Sequence, residues 1–196
     1  AVRCYLMFLG PWDQGGDWID SGINGISRWL NRIRYLATQD INSLDPSKVS
    51  EADNSELNRL IHQTLKKVTE DLENFKFNTT IASLMELTNK LHDIWRAGQV
   101  DHKLWKIAIK NLLLMLAPLA PHTAEELWEV NGLKYSIHSH EWPEWNAEFI
   151  KEAEINLVVQ VNGKVRDTIL VSAEIKPDAA KQAAMSSKKI ASHITD

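Results

Sequence analysis

A chain of 196 residues with 44% hydrophobic and 24% charged side chains has the composition of an ordinary globular protein. Its longest apolar stretch, residues 112–120, is much shorter than the roughly 20 residues that cross a bilayer, so we expect no membrane protein. The formal net charge of −4 argues against nucleic-acid binding over the whole surface and leaves room only for local basic patches. The single cysteine, Cys4, lies in an apolar run, which predicts a buried thiol and fits a reducing, cytoplasmic setting.

Apolar residues spaced by three and four predict two helices in the first part of the chain. The first runs over residues 19–36, with capping chemistry from Asp20 and Ser21. The second follows a polar connection and begins at a capping box formed by Asp53 and Glu56. Each helix has one apolar stripe, so each is expected to pack against other helices.

Three further helices complete the predicted first domain. Asn78 can cap the third helix and Gly98 closes it, whereas Asp101 can cap the fourth. The fourth helix is apolar almost all round, so it should be the most buried. Pro118 and Pro121 are expected to end the fourth helix, and a capping-box pattern over residues 123–126 opens a short fifth helix. Together the helices predict an antiparallel bundle.

The last part of the chain changes from helical to β patterning. Two β-rich runs flank Asn162-Gly163, which predicts a type I′ hairpin because both central residues of that turn need positive φ. Residues 175–190 predict one more helix. The predicted fold class is therefore mainly α: a helical bundle over residues 1–150, followed by a small α+β domain over residues 151–196. We expect that domain to be partial, because a hairpin and one helix are marginally stable alone.

No group of residues in the sequence predicts a catalytic or metal site. His138, His140 and Glu141 are candidate metal ligands, but no second pair of ligands follows at zinc-site spacing, so we interpret them as loop residues. Four tryptophans lie on or beside apolar helix faces, which favours core packing over stacking on nucleic-acid bases. They are Trp29, Trp95, Trp105 and Trp128.

Two pairs of basic residues are candidates for binding phosphate groups. Arg28 and Arg32 lie one turn apart on the first helix, opposite its apolar stripe, and form an exposed basic ridge. Lys164 and Arg166 follow the hairpin turn, and strand alternation places them on one face. A third basic group faces away from the stripe of the second helix: Arg59, His62 and Lys66. From charge alone, a solvated helix surface is the commoner explanation for each helical group.

Eight short blocks of sequence, in order along nearly the whole chain, resemble one protein family. They are residues 5–11, 18–22, 28–32, 62–69, 75–79, 116–122, 125–128 and 160–166. The first three resemble the segment that follows the Lys-Met-Ser-Lys-Ser loop in bacterial-type leucyl-tRNA synthetases. The next four resemble the anticodon-binding helical domain of that family. The last block resembles the start of its small carboxy-terminal domain and separates it from the related valyl and isoleucyl enzymes.

The resemblance implies an ATP-dependent ligase that activates leucine, esterifies it to tRNA and edits misacylated product in an inserted domain. The catalytic and editing domains would lie before Ala1, so this fragment would hold no cofactor, whereas the full-length enzyme would use ATP and Mg. The implied partners are tRNA(Leu) and the catalytic domain of the same chain, in a cytoplasmic monomer. By the same resemblance, tRNA phosphates would contact four side chains: Arg28, Arg32, Lys164 and Arg166.

Two other interpretations stay open at this point. The chain can be the equivalent part of another class I synthetase, specific for valine, isoleucine or methionine. It can also be a helical protein-interaction module that shares only the bundle. The position of an editing insertion upstream of Ala1 would test the first alternative, and a tRNA titration would test the second.

Overall fold

The computed structural model describes residues 1–45, 47, 49–98, 100–150, 154–172 and 175–191. The chain divides into two compact units, Ala1–Ile150 and Lys151–Asp196. The first unit is built from helices and the second contains an antiparallel hairpin with short helices, so the predicted fold class is confirmed. Among the described residues, no helix combines the length and the hydropathy needed to cross a bilayer.

The first unit contains seven α-helices within its described residues. They are α1 (Val2–Phe8), α2 (Gly22–Ala37), α3 (Glu51–Glu73), α4 (Phe77–Ala97), α5 (His102–Leu116), α6 (Pro121–Val130) and α7 (Ala147–Ile150). Helices α2 to α6 form the bundle: α3 packs on α4 and α5, α2 packs on α4, and α5 packs on α6. The interior is built from leucine, isoleucine and aromatic side chains that these helices bury.

Helix α2 begins at Gly22, later than the periodicity predicted, because the backbone of Ile19 is hydrogen-bonded to Tyr5. The Tyr5 hydroxyl donates to the Ile19 carbonyl at 2.8 Å and accepts from the Ile19 N–H at 3.0 Å. These two bonds hold the backbone of Ile19 outside the helix, and its side chain is exposed. A Cβ atom on Gly22 would lie 2.6 Å from ring carbons of Tyr5, so this close approach requires glycine.

Helix caps were predicted correctly at some ends and wrongly at others. Neither Asp20 nor Ser21 caps α2 through its side chain. The capping box of α3 pairs Ser50 with Asp53, so Glu56 is not part of it. Asp53 was identified as a member of the box but placed at the wrong position in it. The Ser50 N–H and hydroxyl both donate to its carboxylate, at 2.9 and 2.7 Å.

Helices α4 to α6 follow one another through tight connections. Helix α4 begins without a side-chain cap, contrary to the role predicted for Asn78, and ends at Gly98 in the left-handed conformation with φ of 68°. Asp101 caps α5 as predicted, by accepting from the Leu104 N–H at 2.9 Å. Pro121 occupies the first turn of α6, where its missing N–H costs nothing, so this proline begins a helix and the capping box over residues 123–126 is absent.

The core confirms the sequence-based assignment of the aromatic residues and the cysteine. Cys4 is buried, and its thiol donates to the Leu119 carbonyl at 3.4 Å. The four tryptophans on predicted apolar faces are all buried: Trp29, Trp95, Trp105 and Trp128. Helix α5 is the most buried element, as its composition predicted, because nine of its 15 residues are buried.

Helix α2 is joined to residues far along the chain. The Arg34 guanidinium donates to both carboxylate oxygens of Glu126 on α6, at 2.7 and 2.9 Å. The Asn131 side-chain amide donates to the Ala37 carbonyl at 3.1 Å. These bonds join residues that are 92 and 94 positions apart. The end of α2 is therefore bonded to α6 and to the residue that follows α6.

A segment over residues 142–150, here called the strap, lies along α3. The Trp142 indole N–H donates to the Thr69 hydroxyl at 2.8 Å, and the Asn146 N–H donates to Nδ1 of His62 at 3.1 Å. The ring of Phe149 stacks on His62, with 4.9 Å between ring centroids. The sequence analysis did not predict the packing of this segment against α3.

The second unit contains the predicted hairpin. Strands β1 (Glu154–Val161) and β2 (Lys164–Ser172) pair antiparallel across Asn162 and Gly163, whose φ values of 53° and 75° confirm the type I′ turn. The single helix predicted over residues 175–190 is instead two helices, α8 (Pro177–Met185) and α9 (Lys188–Ala191).

The break between α8 and α9 coincides with side-chain bonds to β2. The Ser187 hydroxyl donates to the Asp167 carboxylate, and Nζ of Lys189 lies 3.3 Å from the same carboxylate. These bonds lower the pKa of Asp167 below its usual value, with the Ser187 bond as the main cause. The sequence predicted one continuous helix because its alanine-rich pattern favours a helix and carries no sign of this contact with β2.

Candidate nucleic-acid interface

Arg28 and Arg32 lie on the exposed side of α2, as the helical periodicity predicted. Both side chains line a groove of about 380 Å³ that α1, α2 and α4 enclose. Among the described residues, Arg28 makes no hydrogen bond or ion pair, so its guanidinium is available to a ligand. Arg32 is exposed as well, and it donates to the side-chain carbonyl of Asn89 on α4, a bond that the sequence did not predict.

The groove beside these arginines is suited to an anion. Its lining contains Tyr5, Gly25, Met85 and Asn89 together with the two arginines, and no carboxylate among the described lining residues. Gly25 leaves open space beside Arg28, because no atom lies within 4 Å of where a Cβ would stand. A forked guanidinium next to an open, carboxylate-free wall suits the oxygens of a phosphate group.

The basic group on α3 is not the exposed surface that its periodicity predicted. The strap covers this side: Asn146 and Phe149 contact His62, and Nζ of Lys66 lies 5.1 Å from the ring centroid of Trp145. Burial lowers the pKa of His62, which favours the neutral ring that accepts the Asn146 N–H. The prediction failed because it treated α3 as a helix with one partner face, whereas the strap provides a second.

Lys164 and Arg166 are both exposed at the start of β2. The register of the hairpin shifts beside them, because Val159 pairs with Asp167 whereas Gln160 pairs with Val165. Arg166 is therefore the extra residue of a β-bulge, and simple alternation no longer fixes a shared face for the two cations. Nothing in a single sequence marks a bulge at this position.

One basic feature of the bundle was missed from the sequence. Helix α5 was described as apolar almost all round, yet Lys103, Lys106 and Lys110 form an exposed line along it. Their spacing of three and four places them on one side of the helix. That spacing was visible in the sequence, but the buried residues between the lysines dominated the pattern. We call these three residues the α5 lysine ridge.

The histidines near residue 139 have structural contacts in the first unit. The ring of His140 packs against Trp128 at a tilt of 57°, with 4.8 Å between ring centroids, and its Nε2 lies 3.0 Å from the Lys134 carbonyl. His138 lies 3.7 Å from the Glu125 carboxylate. In the part of the chain that the structure describes, no three residues of metal-binding type come together.

Comparisons with known proteins find leucine–tRNA ligases among the relatives of the chain. Residues 54–182 match the family model described as the anticodon-binding domain of tRNA ligase. A leucine–tRNA ligase of Dehalococcoides mccartyi is 47% identical over 99% of this chain, and one of Rubrobacter xylanophilus is 46% identical over 99%. The chain spans about a quarter of these relatives, 24% and 23% of their lengths.

A solved structure has a similar fold over the length of this chain. The ternary complex of Agrobacterium radiobacter K84 LeuRS with tRNA and LeuAMS matches with a TM-score of 0.86 and 28% identity, covering 100% of this chain and 26% of that one. The resemblance to leucyl-tRNA synthetases is thereby confirmed. Because the family model covers most of the residues, from α3 to α8, the chain belongs to the family of anticodon-binding domains of tRNA ligases.

Proposed function

We propose that this chain is the tRNA-holding part of a leucine–tRNA ligase that attaches leucine to tRNA(Leu) at the expense of ATP. The support is the match to the family model, together with a leucine–tRNA ligase that is 47% identical to this chain. Those names favour leucine over valine, isoleucine or methionine, and they favour a ligase segment over a protein-interaction module. In the whole enzyme, ATP and Mg serve a catalytic domain outside this chain.

The groove beside Arg28 and Arg32 is the main structural support for this proposal. It presents two exposed guanidinium groups one helical turn apart against a wall without carboxylates among its described residues. Asn89 holds Arg32 in place, which reduces the conformational entropy that Arg32 would lose on binding a phosphate. We assign both arginines as contacts to tRNA phosphates. Contacts of this type fix the position of an RNA without reading its bases.

The second unit has a supporting role in this proposal. Lys164 and Arg166 are exposed cations next to the hairpin turn, and we assign them as further phosphate contacts. The bundle, residues 1–150, and the α+β unit, residues 151–196, would then hold the tRNA at separate points of its backbone. Holding a substrate in place contributes to catalysis elsewhere in an enzyme. The translational and rotational entropy of the substrate is then lost on binding and not in the reaction step. We propose a cytoplasmic monomer.

The test is a salt titration of tRNA binding by the wild-type chain and by the Arg28→Ala, Arg32→Ala double variant. Each phosphate contact releases condensed counterions, so each contact contributes roughly 0.7 to 0.9 to the slope of log affinity against log salt. We expect the double variant to flatten this slope by about 1.5. The melting temperature should barely change, because both side chains are exposed and their loss opens no cavity.

A matched control removes two exposed positive charges from the ends of α4, as Lys76→Ala with Arg96→Ala. The control should weaken binding only through the general field, with little change in slope. Equal slopes for the wild type and the arginine variant, with equal melting temperatures, would show that Arg28 and Arg32 make no phosphate contact and belong to an ordinary solvated surface. A wild-type chain that binds no tRNA at low salt would refute the proposed function itself.

A further inference from the structure

The α5 lysine ridge has no role in the function proposed so far. Helix α5 contains three lysines and no aspartate or glutamate. Lys103 and Lys110 are separated by about 10 Å along the helix axis, with Lys106 between them. In the described part of the chain, none of the three lysines forms an ion pair. A chain of net charge −4 thus concentrates positive charge on this side of α5.

A groove of about 690 Å³ adjoins the ridge, between the outer face of α5 and residues 134–144. Lys110 and Lys134 contribute cations to it, and Tyr135 and Trp142 contribute aromatic rings. The side chain of Tyr135 is 74% exposed, and Trp142 is also exposed. Large exposed aromatic rings beside lysines are unusual on a surface that contacts only water, and they resemble the stacking platforms of proteins that bind single-stranded RNA.

The walls of this groove are fixed by hydrogen bonds. The Trp142 indole N–H is held by the Thr69 hydroxyl at 2.8 Å, so the ring has a defined orientation. The Lys134 carbonyl accepts from the Trp128 indole N–H at 2.8 Å and lies 3.0 Å from Nε2 of His140. A preformed groove of this kind loses little conformational entropy when a planar ligand enters.

The groove contains charges of both signs. Lys110 lines it from α5, where no carboxylate stands, whereas Lys134, Glu141 and Glu144 line it from the opposite wall, and the two glutamates repel phosphates there. Carboxylates accept hydrogen bonds from the amino groups on base edges. The groove therefore orders a nucleotide with its phosphate towards α5 and its base between the aromatic rings and the carboxylates. A regular duplex keeps its bases stacked inside and cannot offer them in this way.

We propose that the α5 lysine ridge and the groove of Tyr135 and Trp142 form a second RNA-binding surface that takes an unpaired nucleotide. The phosphates lie along Lys103, Lys106 and Lys110, and one base stacks in the groove. This surface rests on the proposed tRNA-holding function but is separate from the groove of Arg28 and Arg32. An acidic peptide would also contact the lysines, but it has no planar base for the exposed ring of Tyr135.

The experiment measures fluorescence anisotropy of three labelled RNAs with the chain: tRNA, an unstructured single strand, and a duplex of equal length. The ridge variant carries Lys103→Gln, Lys106→Gln and Lys110→Gln. Its charge-matched control carries Lys90→Gln and Arg96→Gln on α4 and Lys76→Gln directly before that helix. We expect the ridge variant to flatten the salt slope for the single strand by about 2, and the control to leave the slope nearly unchanged.

The aromatic part is tested separately by two variants of Tyr135. Tyr135→Ala should weaken binding of the single strand roughly tenfold without changing the salt slope, because it removes a stacking surface but no charge. Tyr135→Phe keeps the ring and should bind like the wild type. The duplex should bind more weakly than the single strand, and circular dichroism melting should show every variant folded.

The possible results separate this inference from the proposed function. If the ridge variant and Tyr135→Ala bind RNA like the wild type while the variant at Arg28 and Arg32 binds less, the second surface does not exist and the proposed function stands. Duplex binding as tight as single-strand binding would overturn the assignment of an unpaired nucleotide. Displacement of the RNA by polyglutamate of equal charge at equal concentration would identify an acidic-peptide site instead. A wild-type chain that binds none of the three RNAs would overturn both proposals.

Discussion

A buried hydrogen bond between α2 and α4 links the core to the proposed tRNA contacts. The Trp29 indole N–H donates to the Thr88 hydroxyl at 3.1 Å, and the same hydroxyl donates to the Leu84 carbonyl at 2.6 Å. Trp29 is buried, and it lines the same groove as Arg28 and Arg32. A donor buried without an acceptor is costly, so the identity of residue 88 fixes the packing of the helix that bears both arginines.

Thr88→Val should therefore destabilise the chain, although valine has nearly the same shape. The change removes the only acceptor assigned to the buried Trp29 N–H in the described structure, at a cost of about 1–3 kcal/mol. The measurement is the free energy of unfolding by urea. Thr80→Val is the matched control, because Thr80 is equally buried but its hydroxyl only donates to the Lys76 carbonyl, which the Thr80 N–H already satisfies.

The control should cost clearly less than Thr88→Val, because it leaves no buried donor without an acceptor. Equal losses in the two variants would show that the indole N–H of Trp29 reaches water or another acceptor, and would contradict the packing described here. A loss below about 0.5 kcal/mol for Thr88→Val would do the same.

Single residues were predicted best where one local rule determines their role. Burial of Cys4 followed from its apolar neighbours, and Asp101 was identified as a cap from its position before a helix. The bond between Arg32 and Asn89 was missed because it joins residues 57 positions apart on different helices. Periodicity indicates which side of a helix a residue occupies, but it contains no information about the neighbour on that side.

At the scale of elements, the strap along α3 depends on a neutral histidine. Nδ1 of His62 accepts the Asn146 N–H, and a protonated ring could only donate there. Burial already lowers the pKa of His62. The native contact therefore favours the neutral ring, and its stabilising contribution is fully present above the unfolded pKa of about 6.5 and is lost as the pH falls through the lower folded value.

Acidification should loosen the strap before the bundle unfolds. We expect the amide resonance of Asn146 to shift as the pH falls below about 6.5, together with the ring resonances of His62 and with a midpoint below the ordinary histidine value, in NMR spectra. His62→Asn is the matched variant, since its side-chain oxygen keeps an acceptor near the position of Nδ1 but does not titrate. A resonance of Asn146 that stays constant in the wild type while the ring of His62 titrates would contradict the contact.

Elements with strong local determinants were predicted, and elements that depend on distant contacts were not. The Asn162-Gly163 turn formed as expected because its conformation is determined by two residues. The strap, residues 142–150, has no periodicity and is held by residues of α3 more than 70 positions away, so its sequence gave no indication of its packing. The break between α8 and α9 was missed for the same reason, because Asp167 on β2 contacts Ser187.

At the scale of the whole molecule, the chain is expected to hold RNA without activating an amino acid. Its sequence contains no glycine-rich phosphate-binding motif. We therefore expect no leucine-dependent exchange between ATP and pyrophosphate, because acceleration needs groups positioned on the nucleotide. The assay uses chain prepared free of host synthetase, with a full-length leucine–tRNA ligase as the positive control. Exchange above the buffer blank would contradict the proposed function of this segment.

The closure of the bundle by distant residues has a consequence for the order in which the protein folds during synthesis. Arg34 and Glu126 are 92 residues apart, and Cys4 and Leu119 are 115 apart. At a synthesis rate of about 5–20 residues per second, α2 leaves the ribosome roughly 5–20 s before α6. During that interval Arg34 on α2 has no Glu126 to pair with. The bundle therefore cannot close until α6 has been synthesised, several seconds after α2.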